Sequence, residues 1–193
     1  MAPVYEGGYL KVFIGPMFAG KTTCIINEFN KYKCMGYACV AINHSIDDRY
    51  GDDVVSSHNQ IQIPSINTKQ LYDIKDKIMT NKVLFINEGQ FFDDLYNFVN
   101  DMLTEDKIVF VCGLDGDYQR KKFGSILDII PLADEGEKIK GICHNCKKRN
   151  SLFTHRIIKT GGQIVVGNQN IYMALCRVCY KELNQPDNIH HYA

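Results

Sequence analysis

The sequence has no excess of either charge and no long apolar run. Its 193 residues include 22 Lys and Arg against 22 Asp and Glu, so the formal net charge is zero. This balance argues against a broad basic surface for duplex nucleic acid, and we expect no direct nucleic-acid binding. No segment approaches the ~20 apolar residues that a membrane span requires. The first residues lack the basic and apolar regions of a signal peptide, so we expect a cytoplasmic protein.

Internal repeats and low-complexity segments are also absent. Hydrophobic residues make up 45% of the chain and charged residues 23%, which is typical of a folded globular protein and excludes a disordered one. The length accommodates one full domain with a small appendage.

Strand and helix patterns alternate over residues 1–140, which predicts an α/β fold with a parallel sheet. A long polar loop is predicted over 44–59, and loops of that length usually serve a function. The composition changes near 138–141, where we place a domain boundary. The predicted strands are 9–14, 37–42, 83–86 and 108–112, and the predicted helices are 21–33, 68–79 and 93–103.

A phosphate-binding motif follows the first predicted strand. Residues 15–22 read Gly-Pro-Met-Phe-Ala-Gly-Lys-Thr and match G-x-x-x-x-G-K-[ST] at every position. The glycines let backbone N–H groups point at a phosphate, and the following helix adds its positive end. Lys21 supplies charge for the β- and γ-phosphates, and the Thr22 hydroxyl can ligate Mg²⁺. The predicted phosphate-binding residues are Gly15, Pro16, Met17, Phe18, Ala19, Gly20, Lys21 and Thr22.

Two acidic positions compete for the role of partner to this loop. Glu88 follows the strand 83–86, and Asp115 follows the strand 108–112. Either carboxylate would lie at the carboxyl edge of the sheet, where α/β proteins bind ligands. Either could instead cap a helix. The spacing does not choose between them.

Four of the eight cysteines form two Cys-x-x-Cys pairs. Four thiolates in two chelating pairs suit Zn²⁺ in a closed structural site, and the alternatives are unrelated pairs or a redox disulfide. His144 and His155 are spare donors that we interpret as exposed polar residues, and the basic run 147–149 as a solvated face. The predicted zinc ligands are Cys143, Cys146, Cys176 and Cys179.

Five segments stand out in order along the chain: 15–22, 48–50, 87–92, 113–120 and 176–180. Together they resemble the type II thymidine kinases, the zinc-containing family of animal cytosol, poxviruses and many bacteria. The resemblance extends over about residues 9–183, and the tail 185–193 matches nothing. It implies a P-loop NTPase-like parallel sheet in a kinase domain, 1–140, and a small zinc-binding lasso domain, 141–184.

The resemblance also implies a reaction. Family members transfer the γ-phosphoryl group of ATP to the 5′-hydroxyl of thymidine or deoxyuridine, giving dTMP or dUMP for DNA precursor synthesis. Glu88 matches the family's general base, and Arg49 matches an arginine that approaches the transferring phosphoryl group. Lys21 would complete the catalytic set, and Thr22 and Asn87 would hold Mg²⁺.

By the same resemblance, a lasso-like loop of the zinc lobe encloses the thymidine, and Tyr118 stacks near the base. Family members are commonly homotetramers that are inhibited by dTTP, and both properties are expected here. The thymidine-binding positions implied are Met17, Leu114, Tyr118, Phe123, Thr154, Val165 and Tyr172.

Three departures from the family pattern stand out. Asn87 replaces the usual aspartate, which keeps an oxygen and loses a negative charge. Tyr118 stands where phenylalanine is common, and Gly167-Asn168 replaces Gly-Gly, with one extra residue after the first cysteine pair. Two alternatives stay open: a deoxynucleoside kinase of different base preference, or a nucleotide-binding protein that Asn87 has weakened as a catalyst.

Overall fold

A seven-stranded, mostly parallel sheet forms the centre of the molecule, which confirms the predicted α/β class. The computed structural model describes residues 7–46, 54–56, 62–158, 162–163, 167 and 170–185. The strand order is β3-β4-β2-β5-β6-β1-β7, and only the β3–β4 pair is antiparallel. The strands are β1 (Tyr9–Ile14), β2 (Cys39–His44), β3 (Val54–Ser56), β4 (Gln62–Thr68), β5 (Val83–Ile86), β6 (Ile108–Gly113) and β7 (Glu135–Lys138).

Helices cover both faces of this sheet. Alternate residues of a strand point to opposite faces, so a strand that is covered on both sides reads as a continuous apolar run. β5 and β6 are buried at every position for this reason. One face packs against α1 and the other against α3. The helices are α1 (Lys21–Cys34), α2 (Lys75–Ile78), α3 (Leu95–Thr104) and α4 (Arg177–Leu183).

The predicted helix 68–79 is wrong over its first half. Thr68, the first residue of the predicted helix, instead ends β4, which pairs with β2 in parallel over residues 65–68. A 3₁₀ turn at Tyr72–Ile74 then leads into the single turn of α2. Leu71, Ile74 and Ile78 are buried, and their helical spacing is satisfied by these short turns. The predicted loop 44–59 contains β3, and residues 47–53 and 57–61 lie outside the described part of the chain.

The charged segment before the cysteine pairs contains a strand that the pattern did not predict. β7 pairs with β1 through its backbone, and all four of its residues are exposed. Its side chains therefore carry no apolar signal. Beyond it, β8 (Phe153–Arg156) and β9 (Tyr172–Leu175) form a separate antiparallel pair, against which α4 packs. The division at 140/141 stays a prediction.

None of the helices in the described ranges has the length and apolar character needed to cross a membrane.

Candidate functional site

The phosphate-binding motif forms the turn between β1 and α1. Gly15 has a φ of 150°, and a Cβ at this position would collide with the carbonyl oxygen of Ile139. Gly20 has a φ of 91° and precedes the first residue of α1. The first turn of α1 contains no acidic residue, so nothing there opposes an anion at the positive end of the helix.

Lys21 bends back over this loop. Its side chain is buried, and Nζ donates a hydrogen bond to the carbonyl oxygen of Pro16 at 2.7 Å. Burial of an ammonium group is costly unless it has hydrogen-bond acceptors, and the Pro16 carbonyl oxygen of the loop is such an acceptor. The charge therefore lies where the motif requires it for binding phosphate.

The two acidic candidates have different surroundings. The Thr22 hydroxyl lies 3.4 Å from Oδ1 of Asn87, the residue before Glu88, although β6 separates β5 from β1 in the sheet. Asp115 instead forms an ion pair with Lys138, with a distance of 2.5 Å between Oδ2 and Nζ. The end of β5 is therefore the strand end that contacts the phosphate loop through a hydrogen bond.

The Glu88 carboxylate is held in a fixed direction. The residue has a φ of 53°, which is uncommon for any residue with a side chain. Its Oε2 accepts a hydrogen bond from Nε2 of Gln90 at 2.7 Å, and Oε1 of Gln90 accepts from the Leu114 N–H at 2.9 Å. Gly124 packs so closely on Gln90 that a Cβ would collide with its carbonyl oxygen. This network orients Glu88 and ties it to the segment after β6.

A buried polar cluster fixes the amide of Asn87. Nδ2 of Asn87 donates to Oδ1 of Asn43 at 2.9 Å. The Cys112 thiol donates to Oδ1 of Asn87 at 3.0 Å. Burial raises the pKa of Cys112 to about 12, so this thiol remains a donor at neutral pH. Oδ1 of Asn87 is thereby directed toward Thr22. An amide oxygen and a hydroxyl so close together can both face one hard cation.

The four predicted zinc ligands form one cluster. Their Sγ atoms all lie within 4.8 Å of one another, and the donors are Cys143, Cys146, Cys176 and Cys179. All eight cysteines are described, and none forms a disulfide. A hydrogen bond from the backbone N–H of Lys148 is the main cause that lowers the pKa of Cys146 to about 6, which favours its thiolate form. Cys179 shifts the opposite way: against a hydrogen bond with Asn145, burial and the other three sulfurs raise its pKa to about 12. The cluster can hold a metal ion in a tetrahedral sulfur site.

The histidines near this cluster are not exposed, contrary to the sequence-based interpretation. His144 is half-buried and stacks on Phe18, with 5.2 Å between ring centroids. His155 is half-buried, and its Nδ1 lies 3.1 Å from Nδ2 of Asn184. Residues 147–149 are exposed, which confirms the solvated face.

Some of the predicted thymidine-binding residues contact the phosphate loop or the hydrogen-bond network around Glu88. Met17 of the phosphate loop donates its N–H to Oγ1 of Thr154, on β8, at 3.0 Å. Leu114 and Phe123 are buried, and Phe123 packs edge-on against Phe91 with 5.6 Å between centroids. Met17 and Thr154 therefore form one contact, while Leu114 belongs to the Glu88 network.

Tyr118 and Tyr172 both lie near Arg156. The Arg156 guanidinium covers one face of the Tyr118 ring at 3.7 Å from its centroid. Tyr172 is opposite Arg156 in the β8–β9 register and is buried. The Tyr180 hydroxyl donates to the Tyr118 carbonyl oxygen at 2.5 Å. β8, β9, α4 and the cysteine turn at 143–146 are together called the small lobe. Tyr118 is anchored to this small lobe through its ring and its backbone.

Arg49 and Val165 lie outside the described residues. The roles of Asn43, Cys112 and Gln90 were not predicted from the sequence. Asn43 comes near the end of β2, and Asn87 directly follows β5. Both residues therefore lie at the carboxyl edge of the sheet, and this shared position could have indicated a role for Asn43. Cys112 carried no signal, because a lone cysteine in a buried strand is usually plain core.

Comparison with known proteins agrees with these features. A family model described as thymidine kinase matches residues 8–180. The chain is 38% identical over 173 residues to the thymidine kinase of sheeppox virus (strain KS-1), an alignment that includes 90% of this chain and 97% of the viral protein. It is 37% identical over 175 residues to the thymidine kinase of vaccinia virus (strain Western Reserve), with 91% and 98% included. With a phosphate loop, a neighbouring carboxylate and a four-cysteine cluster in place, the chain belongs to the thymidine kinase family.

Proposed function

We propose that this protein is an ATP-dependent thymidine kinase, which transfers the γ-phosphoryl group of ATP to the 5′-hydroxyl of thymidine. The observation that carries the proposal is the hydrogen bond between Thr22 and Asn87, which brings the residue pair Asn87-Glu88 to the phosphate loop. Family membership supplies the identity of the substrates. The product is dTMP, and deoxyuridine is the expected second acceptor.

In the proposed reaction, loop N–H groups and Lys21 hold the phosphates of ATP. Glu88 accepts the proton of the 5′-hydroxyl as that oxygen bonds to the γ-phosphorus, and the bond from this phosphorus to the bridging oxygen breaks to release ADP. Gln90 keeps the Glu88 carboxyl group aimed at the acceptor. Arg49 is proposed, from the family resemblance, to offset charge on the transferring group.

The oxygens of Thr22 and Asn87 are proposed to face the Mg²⁺ that accompanies ATP. Mg²⁺ prefers oxygen ligands and usually keeps several waters, so one hydroxyl and one amide oxygen suffice on the protein side. When bound, the ion neutralises charge on the β- and γ-phosphates. Because the Asn87 amide is neutral, we propose that Mg²⁺ binds more weakly here than beside an aspartate.

The four-sulfur cluster is proposed to hold Zn²⁺, because tetrahedral thiolate sites favour that ion. We propose that the segment between β8 and β9 closes over the base, and that the domains are 1–140 and 141–184 with a tail at 185–193. A cytoplasmic homotetramer inhibited by dTTP is proposed from the family resemblance. The proposed thymidine-binding residues are Met17, Leu114, Tyr118, Phe123, Thr154, Val165 and Tyr172.

The test is an assay of zinc-loaded protein with Mg-ATP and four acceptors: thymidine, deoxyuridine, deoxycytidine and deoxyadenosine. The control variant is Glu88→Gln, which preserves size and hydrogen bonding and removes the proton acceptor. We expect thymidine to be phosphorylated preferentially, and turnover to fall by roughly 10²- to 10⁴-fold in the variant.

Each other outcome identifies an alternative. Preferential turnover of another nucleoside would replace thymidine kinase by a deoxynucleoside kinase of different base preference. Folded protein that binds ATP and turns over no nucleoside would be a nucleotide-binding protein, and Asn87→Asp would then be expected to restore activity.

A further inference from the structure

The phosphate loop contacts the turn that carries the first pair of metal-binding cysteines. The Phe18 ring stacks on the His144 ring with an interplanar angle of 28° and 5.2 Å between centroids. The adjacent N–H of Met17 donates to Thr154 at 3.0 Å. A Cβ on Gly141 would lie 3.0 Å from the Phe18 carbonyl oxygen, so the backbones also approach closely there. The small lobe therefore packs directly against the part of the loop that surrounds the phosphates.

The backbone of Phe18 needs such support. Its φ of 60° lies in the left-handed region, which is costly for a residue with a Cβ. Conformations of this kind persist only where the surroundings hold them. A rotation at Phe18 would turn the peptide N–H groups that follow it, and these are the groups that the motif directs at phosphate. The surroundings of the Phe18 ring therefore bear on nucleotide binding.

His144 is well placed to hold that ring. It lies between Cys143 and Cys146, and its backbone N–H donates to the Ala174 carbonyl oxygen on β9 at 2.8 Å. The turn is closed by the Lys147 N–H, which donates to the Cys143 carbonyl oxygen at 2.9 Å. His144 is not one of the four sulfur donors, so its ring is positioned by the metal turn without being part of the metal site.

We propose that His144 is a positioning residue for nucleotide binding: it stacks on Phe18 and keeps the loop 15–22 in its phosphate-binding conformation. The inference rests on the proposed function only in that this loop binds ATP. When the binding-competent conformation of a site is less populated, the apparent affinity falls by the same factor. The peptide groups that would turn follow Phe18, whereas Met17 precedes it and is held by Thr154, so loss of the stack should weaken ATP binding more than thymidine binding.

The test uses zinc-loaded His144→Ala, with His144→Phe as the variant that restores an aromatic stack. Lys148→Ala is the matched control, because it removes an exposed side chain from the same turn and keeps its backbone N–H. The measurements are metal content, the Kd for ADP by calorimetry, and separate KM values for ATP and thymidine. We expect His144→Ala to raise the Kd and the KM for ATP by roughly 2- to 10-fold, the range of one aromatic contact. Metal content should not change, the KM for thymidine should rise less than the KM for ATP, and His144→Phe should restore the wild-type values.

Three results would overturn the proposal. The first is wild-type ADP affinity in fully metal-loaded His144→Ala. The second is an equal rise in both KM values that His144→Phe does not reverse, which would mean a general structural role. The third is failure of the wild-type protein to bind ADP. If the wild type binds ADP and phosphorylates no nucleoside, the proposed function fails, while the Kd comparison still tests His144.

Discussion

The large sheet and the small lobe are stabilised in different ways. The sheet buries apolar residues on both of its faces, against α1 on one side and α3 on the other. Among the described residues, the hydrophobic cluster of the lobe contains five buried residues, and three of them are cysteines of the four-sulfur cluster. A unit this small buries little apolar surface, so we expect metal binding at the cluster to supply much of its stability. The phosphate loop follows a strand of the sheet and contacts the lobe, so we expect nucleotide binding to depend on both regions.

The largest expected effect is the loss of stability in the small lobe alone when a sulfur donor is removed. Cys176→Ser removes one sulfur donor and the side chain that caps α4, where Sγ accepts from the Cys179 N–H at 3.5 Å. Metal binding to small zinc domains contributes on the order of 10 kcal/mol to folding. We expect the metal to be lost and the amides of 141–183 to exchange rapidly, while β5 and β6 stay protected in hydrogen-exchange mass spectrometry.

The control for this experiment is Cys34→Ser, which changes an exposed lone cysteine at the end of α1. It should leave metal content and exchange unchanged. If the lobe of Cys176→Ser stays protected without metal, its stability does not come from the cluster and the contrast with the sheet disappears.

The second prediction tests the apolar core of the sheet. Phe85 is fully buried on β5 and stacks on Phe110, with 4.9 Å between ring centroids and an angle of 6°. Phe85→Ala should lower the free energy of unfolding by about 3–5 kcal/mol, because it creates a cavity in a close-packed core. Urea unfolding, with and without zinc, measures the loss, which should be the same in both conditions. Tyr96→Ala, at an exposed position on α3, should change stability little; a similar loss there would mean that burial is not the cause.

The third prediction concerns the polar cluster inside the sheet. Asn87→Asp replaces the Nδ2 donor by an acceptor that faces Oδ1 of Asn43, where the present distance is 2.9 Å. Two facing acceptors should cost about 1–3 kcal/mol of stability in Mg²⁺-free buffer. The added charge should at the same time tighten Mg²⁺ binding in the presence of ATP. Thermal unfolding with and without Mg-ATP measures both effects.

The control is Asn100→Asp, which makes the same chemical change on the exposed face of α3. Unchanged stability of Asn87→Asp without Mg²⁺ would show that Asn43 does not hold the amide.

The smallest effect is expected at the edge of the sheet. Hydrogen bonds from Lys11 and Tyr9 lower the pKa of Glu135, whose side chain is 55% exposed. A carboxyl group with a lowered folded-state pKa stabilises the protein above its unfolded pKa, and this contribution is lost as pH falls through the folded-state value. Glu135→Gln should therefore cost less than about 1 kcal/mol at neutral pH, because solvent screens the pair. The difference in Tm between variant and wild type should shrink in acid and in high salt; a constant difference would exclude the ion pair as its cause.

The strands and helices that were predicted well have a clear pattern of apolar side chains. β1 and β5 have the predicted bounds, and α1 and β6 each extend one residue further. Three strands, β3, β4 and β7, were not predicted. Each is defined by backbone pairing with a neighbouring strand, and its exposed or mixed side chains do not show the apolar alternation of a strand. The helix predicted at 68–79 failed because short turns satisfied the same buried spacing.

The sequence by itself determined the phosphate motif and the two cysteine pairs, which are short local patterns whose spacing is set by the ligand. It left Glu88 and Asp115 as alternatives, and only the family resemblance favoured Glu88. Only the tertiary structure decided which strand ends meet. The insertion of β6 between β1 and β5, the amide pair of Asn43 and Asn87, and the stacking of His144 on Phe18 all join residues far apart in the chain. Such contacts depend on strand order and lobe packing, and no local pattern in the sequence encodes either of them.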